Sequence, residues 1–231
     1  MSGALLSVQN LSVSLAATGA ILSPEVDFTL DAGAALALIG DSGCGKTLCI
    51  NAILGLLNNR VFRVSGHAAL GGQNLLGLPE CEMRRIRGGK IALIPQNPMT
   101  AFDPSAKIGM QLSETVRAHR RIPRAGAREL GVRALEALGL PANIMGAYPH
   151  TLSGGMLQRI AIALALILEP ELIIADEATT ALDVVNRRLV LEELLKLKTR
   201  GAALLLITHH EREAEYCGCE MLRIGGAGHD D

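Results

Sequence analysis

The most constraining stretch of this sequence is a glycine-rich octapeptide, Gly40-Asp41-Ser42-Gly43-Cys44-Gly45-Lys46-Thr47. It has the spacing of a glycine, four free positions, a second glycine, a lysine and a hydroxyl residue. It is preceded by the apolar run Ala35–Ile39 and followed, from Leu48 to Leu57, by the apolar density of a helix. A buried strand, a glycine turn and a helix in this order predict a phosphate-binding loop in an α/β core.

Each residue type in the octapeptide suits the binding of a polyphosphate. Glycines let the backbone wrap an anion without Cβ clashes, so that successive N–H groups point inward. The helix that begins near Lys46 adds the positive end of its dipole, and the Lys46 ammonium supplies a charge for the β- and γ-phosphates. Thr47 offers a hydroxyl to Mg²⁺. The alternative, a glycine turn that fits the spacing by chance, does not account for the flanking strand and helix.

Two carboxylates end a second apolar run, Leu172-Ile173-Ile174-Ala175-Asp176-Glu177, which predicts a buried strand. An aspartate at a strand end can hold Mg²⁺, directly or through water, which makes Asp176 a candidate metal ligand. The adjacent Glu177 can polarise an attacking water as a general base. Because side chains alternate along a strand, we expect the two carboxylates to point in different directions and to have different roles.

Two more polar residues follow predicted buried strands. Gln96 comes after the run Ile91–Ile94, and the end of a strand is where α/β sheets carry ligands. His209 comes after the run Ala203–Ile207, where an imidazole can donate to a phosphate oxygen. The alternative for His209 is a structural histidine.

Ser153 is followed by Gly154 and Gly155 and then by an apolar helix up to Leu168. A serine at the N-cap and two glycines after it present bare N–H groups and a hydroxyl at the helix tip. This pattern predicts a second anion site. A capped buried helix with no ligand would have the same local sequence.

Composition limits the class of protein. The chain has 231 residues, a net charge of -1, 2% aromatic residues and no Trp, so it has neither the basic surface nor the stacking residues typical of nucleic-acid binding. No apolar run approaches the roughly 20 residues that cross a bilayer, and the start of the chain has no secretory signal, so we expect a cytoplasmic location. Five scattered cysteines predict no disulfide framework, and Cys217-Gly-Cys219 lacks the spacing of a zinc module.

The predicted fold class is α/β: a P-loop NTPase core with a mixed or parallel sheet, an N-terminal antiparallel β region up to about residue 34, and an inserted helical subdomain over about residues 97–158. Within that insertion, residues 107–121 and 126–138 have helical spacing and many arginines. We interpret those arginines as a solvated face, with a phosphate or RNA contact as the alternative.

Taken together and in this order, the motifs resemble those of the nucleotide-binding domain of ABC transporters over nearly the whole chain, 1–231, as a single domain. They correspond to its Walker A motif (Gly40–Thr47), Q-loop (Gln96), signature (Leu152–Gln158), Walker B motif (Leu172–Glu177), D-loop (Ala181–Asp183) and switch histidine (His209).

The resemblance implies ATP and Mg²⁺ as cofactors, with Thr47, Gln96 and Asp176 around the metal. It implies that Glu177 is the catalytic base. It also implies a head-to-tail dimer with a second ABC ATPase, in which Ser153, Gly154 and Gly155 of one subunit face the ATP held by the other. The other implied partners are two transmembrane permease subunits and, indirectly, an extracytoplasmic solute-binding protein, with the chain peripheral to the cytoplasmic face of the inner membrane.

The segments Gln96–Pro104, Tyr148–Arg159 and Ile174–Val185 are similar to those of the peptide and nickel importer group. The resemblance therefore implies an ATP-hydrolysing subunit that powers uptake of nickel or a peptide-like solute. The alternative is a degenerate cassette that binds ATP as the partner of an active one. That alternative stays open because no aromatic residue lies between Leu15 and Leu22 to stack on adenine, and because His210 replaces the usual acidic residue after the switch histidine.

Overall fold

The computed structural model describes residues 3–41, 43–180 and 182–224. The strands are β1 (Leu6–Leu15), β2 (Ile21–Leu30), β3 (Ala35–Ile39), β4 (Phe62–Leu70), β5 (Gln73–Asn74), β6 (Ile91–Ile94), β7 (Leu172–Asp176), β8 (Ala203–Ile207) and β9 (Glu220–Arg223). The α-helices are α1 (Lys46–Ile53), α2 (Glu80–Ile86), α3 (Ile108–His119), α4 (Arg124–Ala137), α5 (Gly154–Leu166), α6 (Val184–Thr199) and α7 (Glu211–Tyr216).

The chain divides into two compact units, and each is described by itself. The first comprises Met1–Arg84 and Leu205–Asp231, and the second comprises Arg85–Leu204. The organisation as one domain with a helical subdomain over residues 97–158 stays a prediction.

An antiparallel sheet with the strand order β2-β1-β4-β5 occupies the first unit and confirms the predicted N-terminal β region. Along β1, alternate side chains are buried, so one face of this strand carries core residues. The alternation of apolar and polar residues over 5–8 and over 11–15 predicts two short strands, but the structure joins them into one. The pattern over residues 61–70 predicts a pair of strands, and the structure has the single strand β4 there.

A β-bulge joins the two halves of β1. The register of β1 against β4 shifts by one residue, so that Asn10 and Leu11 together oppose Gly66. Asn10 has a φ of 47°, in the left-handed region that asparagine tolerates better than most residues. Its N–H donates to Asp27 Oδ1 at 2.8 Å, so the donor freed from the ladder keeps a partner.

In the first unit, β3 leads into the glycine-rich loop and pairs with β9. All five residues of β3 are buried, and β3 pairs in parallel with β9, with Ile39 opposite Arg223. The N–H of Ile224 donates to the Ile39 carbonyl at 2.7 Å, and the N–H of Thr208 donates to the Leu38 carbonyl at 3.4 Å. The sequence did not predict β9 or α7, because both are short and only half apolar.

In the second unit, β6 and β7 form a parallel pair, and α3 packs on α4, which packs on α5. The two predicted arginine-rich helices are confirmed as α3 and α4. The Arg120 guanidinium donates to the Leu168 carbonyl at 3.0 Å, whereas the exposed Arg117, Arg124 and Arg128 line an open pocket of about 470 Å³. Within the described ranges, no helix combines the length and the apolar character that crossing a bilayer requires.

We expect Gly66→Ala to destabilise the protein more than Gly19→Ala. Both glycines have positive φ, but a Cβ at Gly66 would lie 2.3 Å from the Asn10 carbonyl oxygen, whereas one at Gly19 would meet no heavy atom within 4 Å. Both variants carry backbone strain, and only the first adds a clash, so their free energies of unfolding should differ by about 1–3 kcal/mol. Urea denaturation measures this difference, and equal losses would contradict a clash at the bulge.

Candidate functional site

The glycine-rich loop of the first unit holds a buried positive charge. Lys46 as a residue is 6% exposed, and its ammonium donates to the carbonyl oxygens of Gly40 and Asp41, at 2.7 Å each. It also donates to Cys44 Sγ at 3.5 Å. The lysine side chain therefore reaches from the first residue of α1 back to the start of the loop, and its charge lies inside the curve of the backbone.

Two glycines permit this tight path. A Cβ at Gly40 would lie 2.2 Å from the Ile224 carbonyl oxygen, and a Cβ at Gly45, which has a φ of 95°, would lie 2.7 Å from Ser23 Cβ. The first turn of α1 has no side-chain cap and carries Lys46 and Thr47 in place of a carboxylate. The positive end of this helix is therefore available to an anion. Ser42 lies outside the described residues, so its place in the site stays a prediction.

Cys49 of α1 is a buried cysteine next to Ser23 of β2. Its Sγ lies 2.8 Å from Ser23 Oγ. Burial raises the pKa of the Cys49 thiol above its ordinary value, and the hydrogen bond with Ser23 opposes this only in part. A thiol with a raised pKa is a poor nucleophile at neutral pH, so Cys49 serves packing.

In the second unit, two of the predicted site residues meet. Because β6 and β7 are parallel neighbours with Ile94 opposite Ala175, the segments that follow them leave from the same edge. Gln96 Nε2 donates to Glu177 Oε2 at 2.8 Å. The sequence predicted both residues as strand-end ligands but not their contact, since neither apolar run reveals its neighbour in a sheet.

Asp176 and Glu177 have different surroundings despite being adjacent. Asp176 is the last residue of β7 and is 5% exposed, while Glu177 is half-buried and has a φ of 45°. A residue with a side chain seldom adopts this left-handed conformation, and such strain concentrates at functional sites. The extended backbone of β7 thus ends between the two carboxylates, which the sequence led us to expect to point in different directions.

The predicted second anion site lies at the tip of α5. Ser153 is its N-cap, as the sequence predicted, and its hydroxyl accepts from the Met156 N–H at 3.3 Å. Gly154 is exposed, and a Cβ on it would meet no heavy atom within 4 Å. Further along α5, the buried Gln158 donates from Nε2 to the Pro95 carbonyl at 3.4 Å, which connects this helix to the residue before Gln96.

Asp183 is the N-cap of α6. Its carboxylate accepts from the Asn186 backbone N–H at 2.9 Å and from Asn186 Nδ2 at 2.6 Å. These hydrogen bonds, the backbone one first, hold the pKa of Asp183 below its ordinary value of 3.8. The preceding Ala181 lies outside the described residues.

His209 lies on the first unit, between β8 and α7. Its imidazole is exposed and contacts the ring of His210, with 3.9 Å between ring centroids and an angle of 45°. The residues on either side of His209 are held by hydrogen bonds. The His210 N–H donates to Thr208 Oγ1 at 3.0 Å, and Thr208 Oγ1 donates to Glu213 Oε2 at 3.2 Å.

Sequence reasoning missed three buried polar residues that support the predicted ones: Gln158, Thr208 and Glu213. The sequence did contain a signal for Gln158, because it is an uncharged polar residue near the start of a helix that is otherwise mainly apolar. No comparable signal marks Glu213, which stands among the charged residues of α7 and is buried only through tertiary packing.

Two of the predicted metal ligands carry hard oxygen donors, one in each unit. Mg²⁺ takes hard oxygen ligands and usually keeps only one or two from protein, the others coming from phosphate and water. The Thr47 hydroxyl and the Asp176 carboxylate are such ligands. Among the described residues, no group of three or more His, Cys, Asp or Glu side chains is arranged to hold a metal ion.

The family of this chain follows from its sequence. A family model described as ABC transporter matches residues 24–180, which is more than half of the chain. The chain therefore belongs to the ABC transporter family, and it carries the ATP-binding domain of that family, as its resemblance to these proteins led us to expect.

Two curated relatives cover most of the chain. The oligopeptide transport ATP-binding protein OppD of Escherichia coli (strain K12) is 39% identical over 89% of this chain and 62% of its own length. The metal-staphylopine import system ATP-binding protein CntD of Staphylococcus aureus (strain NCTC 8325) is 39% identical over 89% of this chain and 76% of its own length. The chain spans 62–65% of the length of the OppD relatives that it matches.

The fold is also that of a solved ATP-binding cassette. The dimeric structure of MJ0796 in a post-hydrolysis state, bound to ADP and Pi, has a TM-score of 0.84 at 23% identity and covers 95% of this chain and 94% of that chain. The similarity confirms the predicted α/β fold class, with an antiparallel β region, parallel strands and helices.

We expect the cap of α6 to weaken in acid. The folded-state pKa of Asp183 is lowered, so its contribution to stability is fully present above the unfolded value of 3.8 and is lost as the pH falls through the lower folded value. A carboxyl-carbon NMR titration should give a pKa below 3.8 for Asp183. In Asn186→Ala, which removes one of the two hydrogen bonds, the pKa should rise toward 3.8, and an unchanged pKa would contradict this role for Asn186.

Proposed function

We propose that this chain binds Mg·ATP and hydrolyses it as the ATP-binding subunit of an ABC importer. The observation that carries the proposal is the buried Lys46 ammonium, which is held inside the loop by the Gly40 and Asp41 carbonyls at the open N-terminus of α1. A held cation beside a helix N-terminus that has no side-chain cap supports a site for the β- and γ-phosphates. Membership of the ABC transporter family supports the identity of the nucleotide.

The metal ligands follow from the chemistry of the donors. We assign the Thr47 hydroxyl to Mg²⁺ directly, the buried Asp176 carboxylate directly or through water, and the Gln96 carbonyl to the same coordination sphere. When bound, Mg²⁺ neutralises charge that develops on the phosphate oxygens. Gln96 Nε2 donates to Glu177, so its carbonyl oxygen remains the end of the amide that suits a cation.

Glu177 is the proposed general base. It follows the strand that ends in Asp176, and the Gln96 amide donates to its carboxylate, orienting the group without neutralising its charge. The strained backbone at Glu177 also fixes the direction in which the side chain leaves the strand. His209 is the proposed donor to the γ-phosphate, since an imidazole N–H can donate to a phosphate oxygen.

The tip of α5 is the proposed contact with a second ATPase subunit. Ser153, Gly154 and Gly155 present a hydroxyl and a helix N-terminus to solvent, which suits the γ-phosphate of an ATP molecule held by a partner in a head-to-tail dimer. Hydrolysis would release this grip and open the dimer. The partner is a second copy of this chain or a related ABC ATPase.

The transport role rests on the relatives. Relatives that are 39–40% identical to this chain are named as ATP-binding proteins of oligopeptide, dipeptide and metal-staphylopine systems. We therefore propose a peptide-like or metal-containing solute, nickel included, with two permease subunits and a solute-binding protein as partners. The chain would lie on the cytoplasmic face of the membrane and would have no nucleic-acid partner.

A degenerate cassette is the second candidate function. The segment between β1 and β2 consists of Ala16-Ala17-Thr18-Gly19-Ala20, which offers adenine no aromatic ring. Adenine would then be held by apolar contact alone, and base selectivity would be low. Measured ATP turnover in the presence of the partner subunits separates this candidate from an active ATPase.

We expect Lys46→Ala to weaken ATP binding about 10- to 100-fold, because hydrogen bonds to a charged group contribute about 1.5–3 kcal/mol. Isothermal titration calorimetry with Mg·ATP measures the affinity. Circular dichroism checks that the variant is still folded, because the Gly40 and Asp41 carbonyls lose their donor in it. Lys90→Ala, which removes an exposed lysine, is the control. An unchanged affinity in Lys46→Ala would count against the phosphate role.

Glu177→Gln should preserve ATP binding and lower turnover by about 10²- to 10⁴-fold, the usual contribution of a general base. It should also trap a closed dimer with ATP, visible by size-exclusion chromatography. The control Glu171→Gln changes an exposed glutamate just before the same strand and should hydrolyse ATP normally. Wild-type turnover in Glu177→Gln would show that another group is the base.

A further inference from the structure

Two buried polar residues lie next to His209 and have no role in the function proposed above. Thr208, which follows β8, is 2% exposed, and Glu213 of α7 is 5% exposed. A carboxylate removed from water loses hydration, and its burial is tolerated when protein donors replace that water. The neighbouring Glu211 and Glu215 on the same helix are exposed, as is usual for glutamate.

The hydrogen bonds around Glu213 form a closed cycle. The Thr208 hydroxyl donates to Glu213 Oε2 at 3.2 Å, and the same hydroxyl oxygen accepts from the His210 N–H at 3.0 Å. The His210 carbonyl in turn accepts from the Glu213 N–H at 3.0 Å. The cycle holds Thr208 and His210, which are the residues on either side of His209. The backbone on both sides of His209 is therefore tied to α7.

The Glu213 carboxylate determines the direction of the Thr208 O–H bond. A threonine hydroxyl has one donor and rotates about its C–O bond to suit its surroundings. With the O–H directed at Glu213, its lone pairs are left for the His210 N–H. The Thr208 N–H also donates to the Leu38 carbonyl, so the same residue is tied to the strand that leads into the glycine-rich loop.

We propose that Glu213 is a positioning residue that acts through Thr208 to fix the direction in which His209 presents its imidazole. The proposal rests on the proposed function, in which His209 donates to the γ-phosphate. An exposed histidine at the end of a strand has several rotamers and a mobile backbone unless its neighbours are held. Loss of the Glu213 acceptor frees the Thr208 hydroxyl, and the histidine then samples directions that do not reach the phosphate.

This role predicts a separation of turnover from binding. In the proposed function the glycine-rich loop holds the phosphates and so sets the affinity, whereas misplacement of a group that acts in the transition state lowers kcat. We expect Glu213→Leu, which keeps the size of the side chain but removes the acceptor, to lower kcat about tenfold. The KM and the Kd for Mg·ATP should stay within about twofold of wild type.

Conservative variants show whether the hydrogen bond is responsible. Glu213→Gln keeps a carbonyl oxygen for the Thr208 hydroxyl and should retain most of the turnover, as should Thr208→Ser. Thr208→Val removes the hydroxyl at constant shape and should lower kcat like Glu213→Leu, and the double variant should be no worse than either. Glu215→Leu is the matched control, because it makes the same change two residues away at an exposed position.

Histidine-selective NMR reports the imidazole directly. With the His209 resonance assigned from His209→Ala, we expect it to shift in Glu213→Leu and Thr208→Val without nucleotide, and to be unchanged in Glu215→Leu. If Glu213→Leu does not fold, as judged by its melting curve, Thr208→Val and Thr208→Ser give the same comparison.

Three results would overturn the proposal. They are wild-type kcat in Glu213→Leu and Thr208→Val, equal losses in Glu215→Leu, and an unmoved His209 resonance. If His209→Ala loses turnover while the Glu213 and Thr208 variants do not, the ATPase assignment stands and only the positioning role is wrong. If His209→Ala itself turns over normally, the γ-phosphate role of His209 is wrong and the positioning role fails with it.

Discussion

A positive charge enclosed by backbone is the feature on which the site depends. The Lys46 ammonium has little contact with water and is held by two carbonyls of its own loop, so its position is set before any anion arrives. At the glycines at positions 40 and 45 a Cβ would clash with Ile224 and Ser23, so the loop lies directly against these two residues.

In the second unit, the fold places a carboxylate and an amide in contact with each other. The parallel pairing of β6 with β7 sends Gln96 and Glu177 from the same edge, and a hydrogen bond of 2.8 Å joins their side chains. The backbone leaves strand geometry at Glu177 and takes a left-handed conformation. Strain of this kind persists only where the surrounding packing maintains it, here the buried residues of β7 and the buried Ala178.

Buried polar side chains hold the segments that carry Gln96 in the second unit and His209 in the first. Gln158 links α5 to the segment before Gln96, and Thr208 and Glu213 link α7 to the loop that carries His209. Each of these groups has lost water and gained a specific partner, which makes its geometry sensitive to small displacements. Hydrogen bonds of this type hold the segments that carry Gln96 and His209.

The sequence by itself determined a glycine-rich loop between a strand and a helix, the helices α3 and α4, the serine cap of α5 and the buried strands β3, β6, β7 and β8, because these follow from local spacing, apolar runs and capping residues. It could not determine that β1 is one strand with a bulge, that β9 pairs with β3, or that Gln96 meets Glu177. Nor could it show that Glu213 is buried while Glu211 and Glu215 are exposed. Those facts depend on which distant segments become neighbours, and strand pairing and helix packing decide this only when the chain has folded.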